Sequence, residues 1–169
     1  METIELVLPS ELEKVLKIYK AAIQKMEEMQ IFQWDEKYPD VLTIENDIKN
    51  KKLYGFFIND LLCGIQALDN IQPEEYKKIN WHFSDNNPLV IHRLCVDPNY
   101  QNIGIARKLL LFSEVYSKKY NFKTIRLDAY AKNPISNTIY KKLDYIKRGI
   151  ITFRKGDFIC YEKEISDSF

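Results

Sequence analysis

The chain has 169 residues, of which 46% are hydrophobic, 29% are charged and only five are glycine. This length and composition are typical of a single globular domain over residues 1–169, and they exclude a disordered or collagen-like chain. The net charge of +1 is too balanced for a general nucleic-acid binder, so we expect no nucleic-acid partner, although a local basic patch for a phosphorylated ligand is compatible with it.

The three cysteines, Cys63, Cys95 and Cys160, are an odd number without CxxC spacing. This pattern favours neither a disulfide framework nor a zinc site, so we expect no metal. No apolar run approaches the roughly 18 residues of a membrane span, and Met1 is followed at once by Glu2. We therefore expect a cytoplasmic protein without a signal peptide or a membrane partner.

The predicted elements of the first half are, in chain order, a strand at 3–8, a helix at 10–29, a helix at 44–51, and strands at 53–58 and 61–68. In the first helix, apolar residues recur every three or four positions, which predicts one buried face. Ser10 and Thr43 are the predicted N-caps of the two helices. Asn59-Asp60 predicts a tight hairpin turn between the two later strands.

The predicted elements of the second half are a short strand at 80–83 within a polar connection at 72–87, a strand at 89–96, a helix at 104–120, a strand at 123–130, a helix at 134–143, and strands at 145–153 and 158–165. The predicted order of elements contains both hairpins and helical crossover connections. The order predicts an α/β (α+β) fold with a single mixed, mostly antiparallel twisted sheet of about six to seven strands, flanked by helices.

The segment from Val96 to Arg107 joins the strand at 89–96 to the helix at 104–120. A short loop before a helix presents unpaired N–H groups and the positive end of the helix dipole, which together attract anions such as phosphate. Gly104 permits a close approach of the main chain to a ligand. The alternative is an ordinary strand–turn–helix joint without a ligand.

Two motifs in this part of the chain resemble those of the GNAT superfamily of N-acetyltransferases. The first is Gln101-x-x-Gly104-x-Ala106 after Val96, and the second is Asn133-x-x-Ser136-x-x-Ile139-Tyr140 before Leu143-Asp144-Tyr145. The family pattern has Ala, Leu and Gly-Phe where this chain has Ser136, Ile139 and Asp144-Tyr145. The order of elements agrees over nearly the whole chain.

The resemblance implies the GNAT fold and acetyl-CoA as co-substrate, bound where a central pair of parallel strands, 89–96 and 123–130, splays apart. It also implies main-chain contacts to the pantetheine arm and the pyrophosphate, and a contact from Asn133. The expected cofactor-binding residues are Leu94, Cys95, Val96, Gln101, Asn102, Ile103, Gly104, Ile105, Ala106, Arg107, Asn133 and Tyr140.

For acetyl transfer to an amine, the enzyme must supply a neutral nucleophile. An alkylamine with a pKa near 10.4 is about one part in 10³ neutral at pH 7, which costs roughly 4 kcal/mol. Tyr140 is the expected proton donor to the sulfur, and Asp128 and His92 are the candidate bases. The alternatives are a core or cleft-lining Tyr140, an Asp128 held in a salt bridge for which Arg126 is a candidate partner, and a buried, hydrogen-bonded structural His92.

A cysteine nucleophile is the rival mechanism, with Cys95 activated by His92. The two residues are three apart on a strand and so face opposite sides, which favours a packed Cys95 instead. For the acceptor, Trp34, Asp35 and Trp81 are the candidate substrate-binding residues, because aromatic rings with a carboxylate suit a cationic amine. The alternative is that these aromatic rings belong to the core.

Two classes of function follow from the sequence. One is an acetyl-CoA-dependent N-acetyltransferase that acts on a small-molecule or peptide amine by direct attack in a ternary complex. The other is a non-catalytic acetyl-CoA-binding or CoA-binding module of the same fold. Both classes allow a homodimer.

Overall fold

A computed structural model describes residues 1–84 and 86–166 of the chain. The strands are β1 (Glu2–Leu6), β2 (Leu53–Ile58), β3 (Leu61–Asp69), β4 (Leu89–Val96), β5 (Thr124–Tyr130), β6 (Ile146–Phe153) and β7 (Gly156–Glu164). The helices are α1 (Leu12–Glu28), α2 (Val41–Lys49), α3 (Ile105–Lys119) and α4 (Pro134–Lys142). Among the residues that the structure describes, no helix is long and apolar enough to cross a lipid bilayer.

The seven strands form one open sheet in the order β1-β2-β3-β4-β5-β7-β6. The pairs β1–β2, β2–β3, β5–β7 and β6–β7 are antiparallel, whereas β4 and β5 are parallel. The parallel register matches Leu89 with Ile125 and Val90 with Arg126, at the beginnings of both strands. The prediction of a mixed, mostly antiparallel sheet flanked by helices is confirmed.

The chain forms two compact units, and β4 and α3 each contribute residues to both. The first unit comprises Met1–Leu68 and His92–Phe112. Its larger core is made by the predicted apolar face of α1 with α2, β2 and β3. Residues buried there include Val15, Ile18, Tyr19, Ala22, Ile44, Ile48, Leu53, Ile65 and Cys95.

The second unit comprises Asp69–Ile91 and Ser113–Phe169. Its centre is the three-stranded array of β5, β7 and β6, in which Asp128 lies opposite Cys160 and Arg126 lies opposite Glu162. Large side chains buried in this unit include Tyr76, Leu89, Ile125, Leu127, Tyr140, Tyr145 and Tyr161.

The predicted helix caps were wrong at both positions. Ser10 lies inside a short 3-10 turn at Pro9–Glu11, where the Leu8 N–H donates to the Glu11 carboxylate at 3.0 Å. The cap of α2 is Asp40, whose carboxylate accepts from the Thr43 N–H at 2.9 Å, so this helix begins earlier than predicted. An ionised Asp competes well for an N-cap, and the bonds from the Thr43 hydroxyl and the Thr43 N–H lower the pKa of Asp40.

The hairpin turn at Asn59-Asp60 is confirmed, with positive φ at both residues. The short strand predicted at Asn80–Phe83 is wrong. The main-chain N–H groups of His82 and Phe83 donate to the buried Glu162 carboxylate instead of to a neighbouring strand. A side chain distant in the sequence therefore determines the conformation of this segment.

Candidate functional site

The loop between β4 and α3, in the first unit, has the geometry of an anion site. Residues Gln101–Gly104 are exposed, and α3 begins at the next residue, Ile105. Asn102 has φ +65° and Gly104 has φ +88°, and no atom lies within 4 Å of the position that a Cβ on Gly104 would occupy. The main chain is thus accessible at the positive end of a 15-residue helix.

Side chains before this loop keep its shape. The Asp97 carboxylate accepts from the Asn99 N–H at 2.8 Å, which caps the 3-10 turn Pro98–Tyr100. The Gln101 amide donates to the Val96 carbonyl at 3.4 Å. In the first turn of α3, Ile105 is buried, Ala106 is half-buried and Arg107 is exposed. The N–H groups of these three residues precede the first intrahelical bond, in which Lys108 donates to the Gly104 carbonyl at 3.0 Å.

At the end of β4, neighbouring side chains belong to two different clusters. Leu94 and Val96 pack against Phe56, Cys63, Ile105 and Leu109, whereas Cys95 is buried among residues of α1 and α2. Burial and the charge of Asp97 raise the pKa of the Cys95 thiol, which suits a packed residue and not a nucleophile.

Arg93 interrupts the regular alternation of β4, because its φ is +53°. The argument that His92 and Cys95 must face opposite sides depends on that alternation and does not hold across Arg93. His92 is half-buried in the first unit, and its role as a base stays a prediction.

Arg93 also makes a largely buried cluster, exposed only at Tyr38, that was not predicted from the sequence. Its guanidinium donates to both Asp47 carboxylate oxygens at 2.8 Å and to the Tyr38 hydroxyl at 3.0 Å, while the Tyr19 hydroxyl donates to its carbonyl at 2.8 Å. The signal in the sequence is an arginine, next to a histidine, inside the strand Leu89–Val96, whose other residues are apolar.

Asp128 and Tyr140 both belong to the second unit, and the charge of the Asp128 carboxylate acts on the Tyr140 hydroxyl. Asp128 is half-buried and accepts from the Tyr76 hydroxyl at 2.7 Å. Tyr140 is 6% exposed, and burial together with the charge of Asp128 raises the pKa of its hydroxyl. The hydroxyl therefore stays protonated at neutral pH. Arg126 was considered as a salt-bridge partner for Asp128. Its guanidinium instead forms an ion pair with Glu162 at 3.3 Å.

Asn133 caps α4, with its side-chain oxygen accepting from the N–H groups of Ile135 at 3.1 Å and Ser136 at 3.2 Å. One turn later, the buried Asn137 amide donates to the carbonyls of Tyr130 and Asn133 and accepts from the Tyr161 hydroxyl at 2.6 Å. The helix start is thus fixed to β5 and β7. The predicted cofactor contact of Asn133 stays a prediction.

The aromatic residues considered for acceptor binding have structural contacts. Trp34 packs against the core of the first unit, with its ring 5.6 Å from Tyr19. The Asp35 carboxylate accepts from the Lys37 N–H at 3.1 Å. In the second unit, the Trp81 ring lies 4.3 Å from the Arg126 guanidinium, and its N–H donates to the Tyr76 carbonyl at 3.0 Å. The packing of Trp34 agrees with the core alternative, whereas Trp81 is half-buried, and substrate binding by the three residues stays a prediction.

Within residues 1–84 and 86–166, His, Cys, Asp and Glu side chains form no group of three or more that could hold a metal ion.

Comparison with known proteins identifies the relatives of this chain. The sequence model of the acetyltransferase (GNAT) family matches residues 19–145. No curated protein gives a significant sequence match. Several hundred solved chains are similar in structure, including the three that follow.

One is a GNAT-family acetyltransferase from Streptococcus agalactiae 2603, with 21% identity, a TM-score of 0.86, and coverage of 99% of this chain and 96% of that one. A second is PaiA N-acetyltransferase from Thermoplasma acidophilum in complex with coenzyme A, with 21% identity, a TM-score of 0.72, and coverage of 97% and 99%. A third is the ribosomal-protein-S18-alanine N-acetyltransferase from Escherichia coli, with 19% identity, a TM-score of 0.69, and coverage of 100% and 97%. At these identities the three structures establish the shared fold.

Proposed function

Because the chain belongs to the GNAT acetyltransferase family, we propose that it transfers the acetyl group of acetyl-CoA to a primary amine by direct attack in a ternary complex. The observation that carries this proposal is the loop before α3. Its exposed residues, the left-handed Gly104 and the open space beside that glycine match what a pyrophosphate needs from a main-chain site. The coenzyme A complex of the Thermoplasma relative supports the same cofactor.

The residues of the first unit would hold the cofactor. Main-chain groups of Leu94, Cys95 and Val96 line the pantetheine arm, and the segment Gln101–Arg107 binds the pyrophosphate. Bound acetyl-CoA supplies an activated acetyl thioester. A main-chain N–H near Val96 is the proposed donor to the oxygen that gains charge, and such a donor is typically worth about 10²–10³ in rate.

Tyr140 is the proposed hydrogen-bond donor to the departing sulfur. Its raised pKa keeps the hydroxyl protonated over the whole neutral range. A thiol with a pKa near 8.5 is a stronger acid than this buried phenol, so full proton transfer is not required of it. The hydroxyl makes no hydrogen bond with another side chain or with the main chain in the described part of the molecule, and is thus available to a ligand.

Removal of a proton from the attacking amine is the more demanding task. Asp128 is the proposed base, with His92 as the second candidate. The Tyr76 hydroxyl donates to the Asp128 carboxylate at 2.7 Å, and this carboxylate is proposed to accept the proton of the ammonium group. The amine acceptor is proposed to be a small molecule or a peptide, and a cytoplasmic location is part of the same proposal.

The test compares Tyr140→Phe with Tyr145→Phe. The Tyr145 ring is 6.0 Å from that of Tyr140, and its buried hydroxyl has no hydrogen-bond partner among the described residues, so its removal is a matched control. We expect Tyr140→Phe to lower the rate of CoA thiol release with a panel of primary amines by about a hundredfold. Tyr145→Phe should keep the wild-type rate.

Acetyl-CoA binding, measured by calorimetry, should change less than about twofold in both variants. A full-rate Tyr140→Phe enzyme would remove Tyr140 from the chemistry. A wild-type protein that binds acetyl-CoA but releases no thiol with any amine favours the non-catalytic module. No stabilisation by millimolar acetyl-CoA would contradict cofactor binding altogether.

A further inference from the structure

Arg93 has an exceptional main-chain conformation. The other described non-glycine residues with positive φ lie in turns, whereas Arg93 lies within a strand, at φ +53°. A residue with a Cβ does not adopt this conformation by preference, and it persists only where surrounding contacts impose it. Such residues are concentrated at functional sites, so the contacts that hold Arg93 indicate where a function lies.

Three residues hold Arg93 at both its side chain and its main chain. Asp47 of α2 accepts two bonds from the guanidinium at 2.8 Å, and Tyr38 accepts a third at 3.0 Å. Tyr19 of α1 donates to the Arg93 carbonyl at 2.8 Å. The Arg93 and Asp47 side chains are only 10% and 8% exposed. We call these four residues the Arg93 cluster.

The Arg93 cluster lies immediately before the segment that the proposed function assigns to the cofactor. After Arg93, the side chains of Leu94 and Val96 pack in one cluster and that of Cys95 packs in another. Their N–H and C=O directions follow from the conformation of the residue that precedes them, because each peptide plane is set by the dihedral angles on both sides. A change at Arg93 would therefore rotate the main-chain groups of the next residues.

We propose that the Arg93 cluster is a positioning device, in which Tyr19, Tyr38 and Asp47 hold Arg93 left-handed so that the Leu94–Val96 main chain faces acetyl-CoA correctly. This inference rests on the proposed function. It assigns a role in cofactor binding to three residues outside β4, none of which lies in a GNAT motif. The alternative is a buried ion pair that stabilises the first unit and does not affect the cofactor.

Replacing Arg93 by alanine or by glycine separates these two roles. Both variants lose the guanidinium and leave Asp47 without that partner, so they lose the same ion pair. Only glycine adopts positive φ without steric cost. If the conformation of residue 93 matters, Arg93→Ala should bind acetyl-CoA at least about tenfold more weakly than wild type, and Arg93→Gly should lose no more than about threefold.

A merely structural ion pair predicts the opposite order or no difference, because glycine in a strand is at least as disruptive as alanine. Equal affinities for acetyl-CoA in the two variants, or a weaker Arg93→Gly, would overturn the positioning role. That result would leave the proposed function intact if the wild-type protein binds acetyl-CoA. A wild-type protein that does not bind acetyl-CoA would overturn both.

A second pair of variants removes only one hydroxyl group each and so tests the proposal even if the Arg93 variants do not fold. Tyr19→Phe removes one hydroxyl from the Arg93 carbonyl, and Tyr161→Phe removes an equally buried hydroxyl, bonded to Asn137 at 2.6 Å, from the second unit. We expect Tyr19→Phe to weaken acetyl-CoA binding severalfold and to reduce the strong intraresidue HN–Hα NOE that positive φ produces at Arg93. Tyr161→Phe should leave both unchanged. A reduced NOE with unchanged affinity would contradict the positioning role.

Discussion

In the first unit, the candidate anion site is made of main chain: an exposed loop, a left-handed glycine and the start of α3. In the second unit, the candidate chemistry depends on buried side chains, with Asp128 bonded to Tyr76 and the nearby Tyr140 kept protonated. A main-chain site needs only a few residue types at fixed spacing. A side-chain site needs partners that lie far apart in the sequence. The two units therefore differ in how far their sites can be recognised from a motif and in how mutations should affect them.

The largest expected effect concerns the side-chain network of the second unit. Glu162 is fully buried and pairs with Arg126 at 3.3 Å and with Arg148 at 3.0 Å. Its carboxylate also accepts from the His82 and Phe83 N–H groups. Glu162→Gln leaves two guanidinium groups without their counter-charge, so we expect a loss of about 3–5 kcal/mol of unfolding free energy, measured by urea denaturation.

The matched control is Glu164→Gln, an exposed residue of the same strand. It should change the unfolding free energy by less than about 0.5 kcal/mol. If Glu162→Gln lowered the unfolding free energy no more than Glu164→Gln does, the second unit would not depend on its buried side-chain network. The proposed difference between the two units would then be wrong.

The next effect concerns the main-chain site of the first unit. Gly104 and Gly156 are both left-handed, with φ of +88° and +127°. An added Cβ meets no atom within 4 Å at Gly104 and only ordinary contacts at Gly156, so alanine strains the backbone at both without a clash. Each variant should lose about 1–2 kcal/mol of stability.

Only Gly104→Ala should also weaken acetyl-CoA binding, by about tenfold on calorimetric titration, because a methyl group then stands in the open space beside the loop. The comparison of the two alanine variants separates backbone strain from ligand binding. Equal acetyl-CoA affinity in the two variants would identify Gly104 as an ordinary structural turn.

The smallest effect concerns a left-handed residue with no ligand role. Asp144 follows α4 at φ +63°, the position where the GNAT pattern has glycine, and the Tyr145 N–H closes the helix by donating to the Tyr140 carbonyl at 3.0 Å. Asp144→Gly should stabilise the protein by about 0.5 kcal/mol, or about 1–2 °C in Tm, by calorimetry. Acetyl-CoA affinity should not change. A lower Tm would show that the aspartate side chain contributes more than the strained backbone costs.

Periodicity and turn chemistry predicted the existence and type of the seven strands and four helices found among the described residues, because those signals are local. The observed boundaries of β4 are the predicted ones. Compared with the prediction, α3 is one residue shorter at each end and α4 is one residue shorter at its C-terminal end. The cap of α2 was mistaken because Asp40 and Thr43, three residues apart, are both acceptable cap residues. At α1 the predicted cap Ser10 lies in a 3-10 turn that precedes the helix, and the N-cap residue Glu11 makes no side-chain cap bond. The false strand at Asn80–Phe83 has a long-range cause in Glu162, which no local pattern contains.

The same division applies to the candidate site. The strand–loop–helix joint at Gln101–Arg107 could be identified from its sequence. The partners of Asp128 and Arg93 could not, since Tyr76 is 52 residues from Asp128 and Tyr19 is 74 residues from Arg93. The arginine in an apolar strand was a visible anomaly, but its partners and its left-handed conformation appear only in three dimensions.

The three cysteines have a practical consequence for studying this acetyltransferase. All three are buried, and burial raises the pKa of each thiol. A thiolate reacts with disulfide reagents far faster than a thiol, and the raised pKa values keep the protein's cysteines in the thiol form. When such a reagent is used to titrate released CoA, the folded protein should therefore add almost nothing to the absorbance. The same reagent should detect all three protein thiols once the chain unfolds. One reagent can thus measure both turnover and denaturation in the same sample. The signal from released CoA requires the amine acceptor, whereas the signal from protein thiols exposed by unfolding does not.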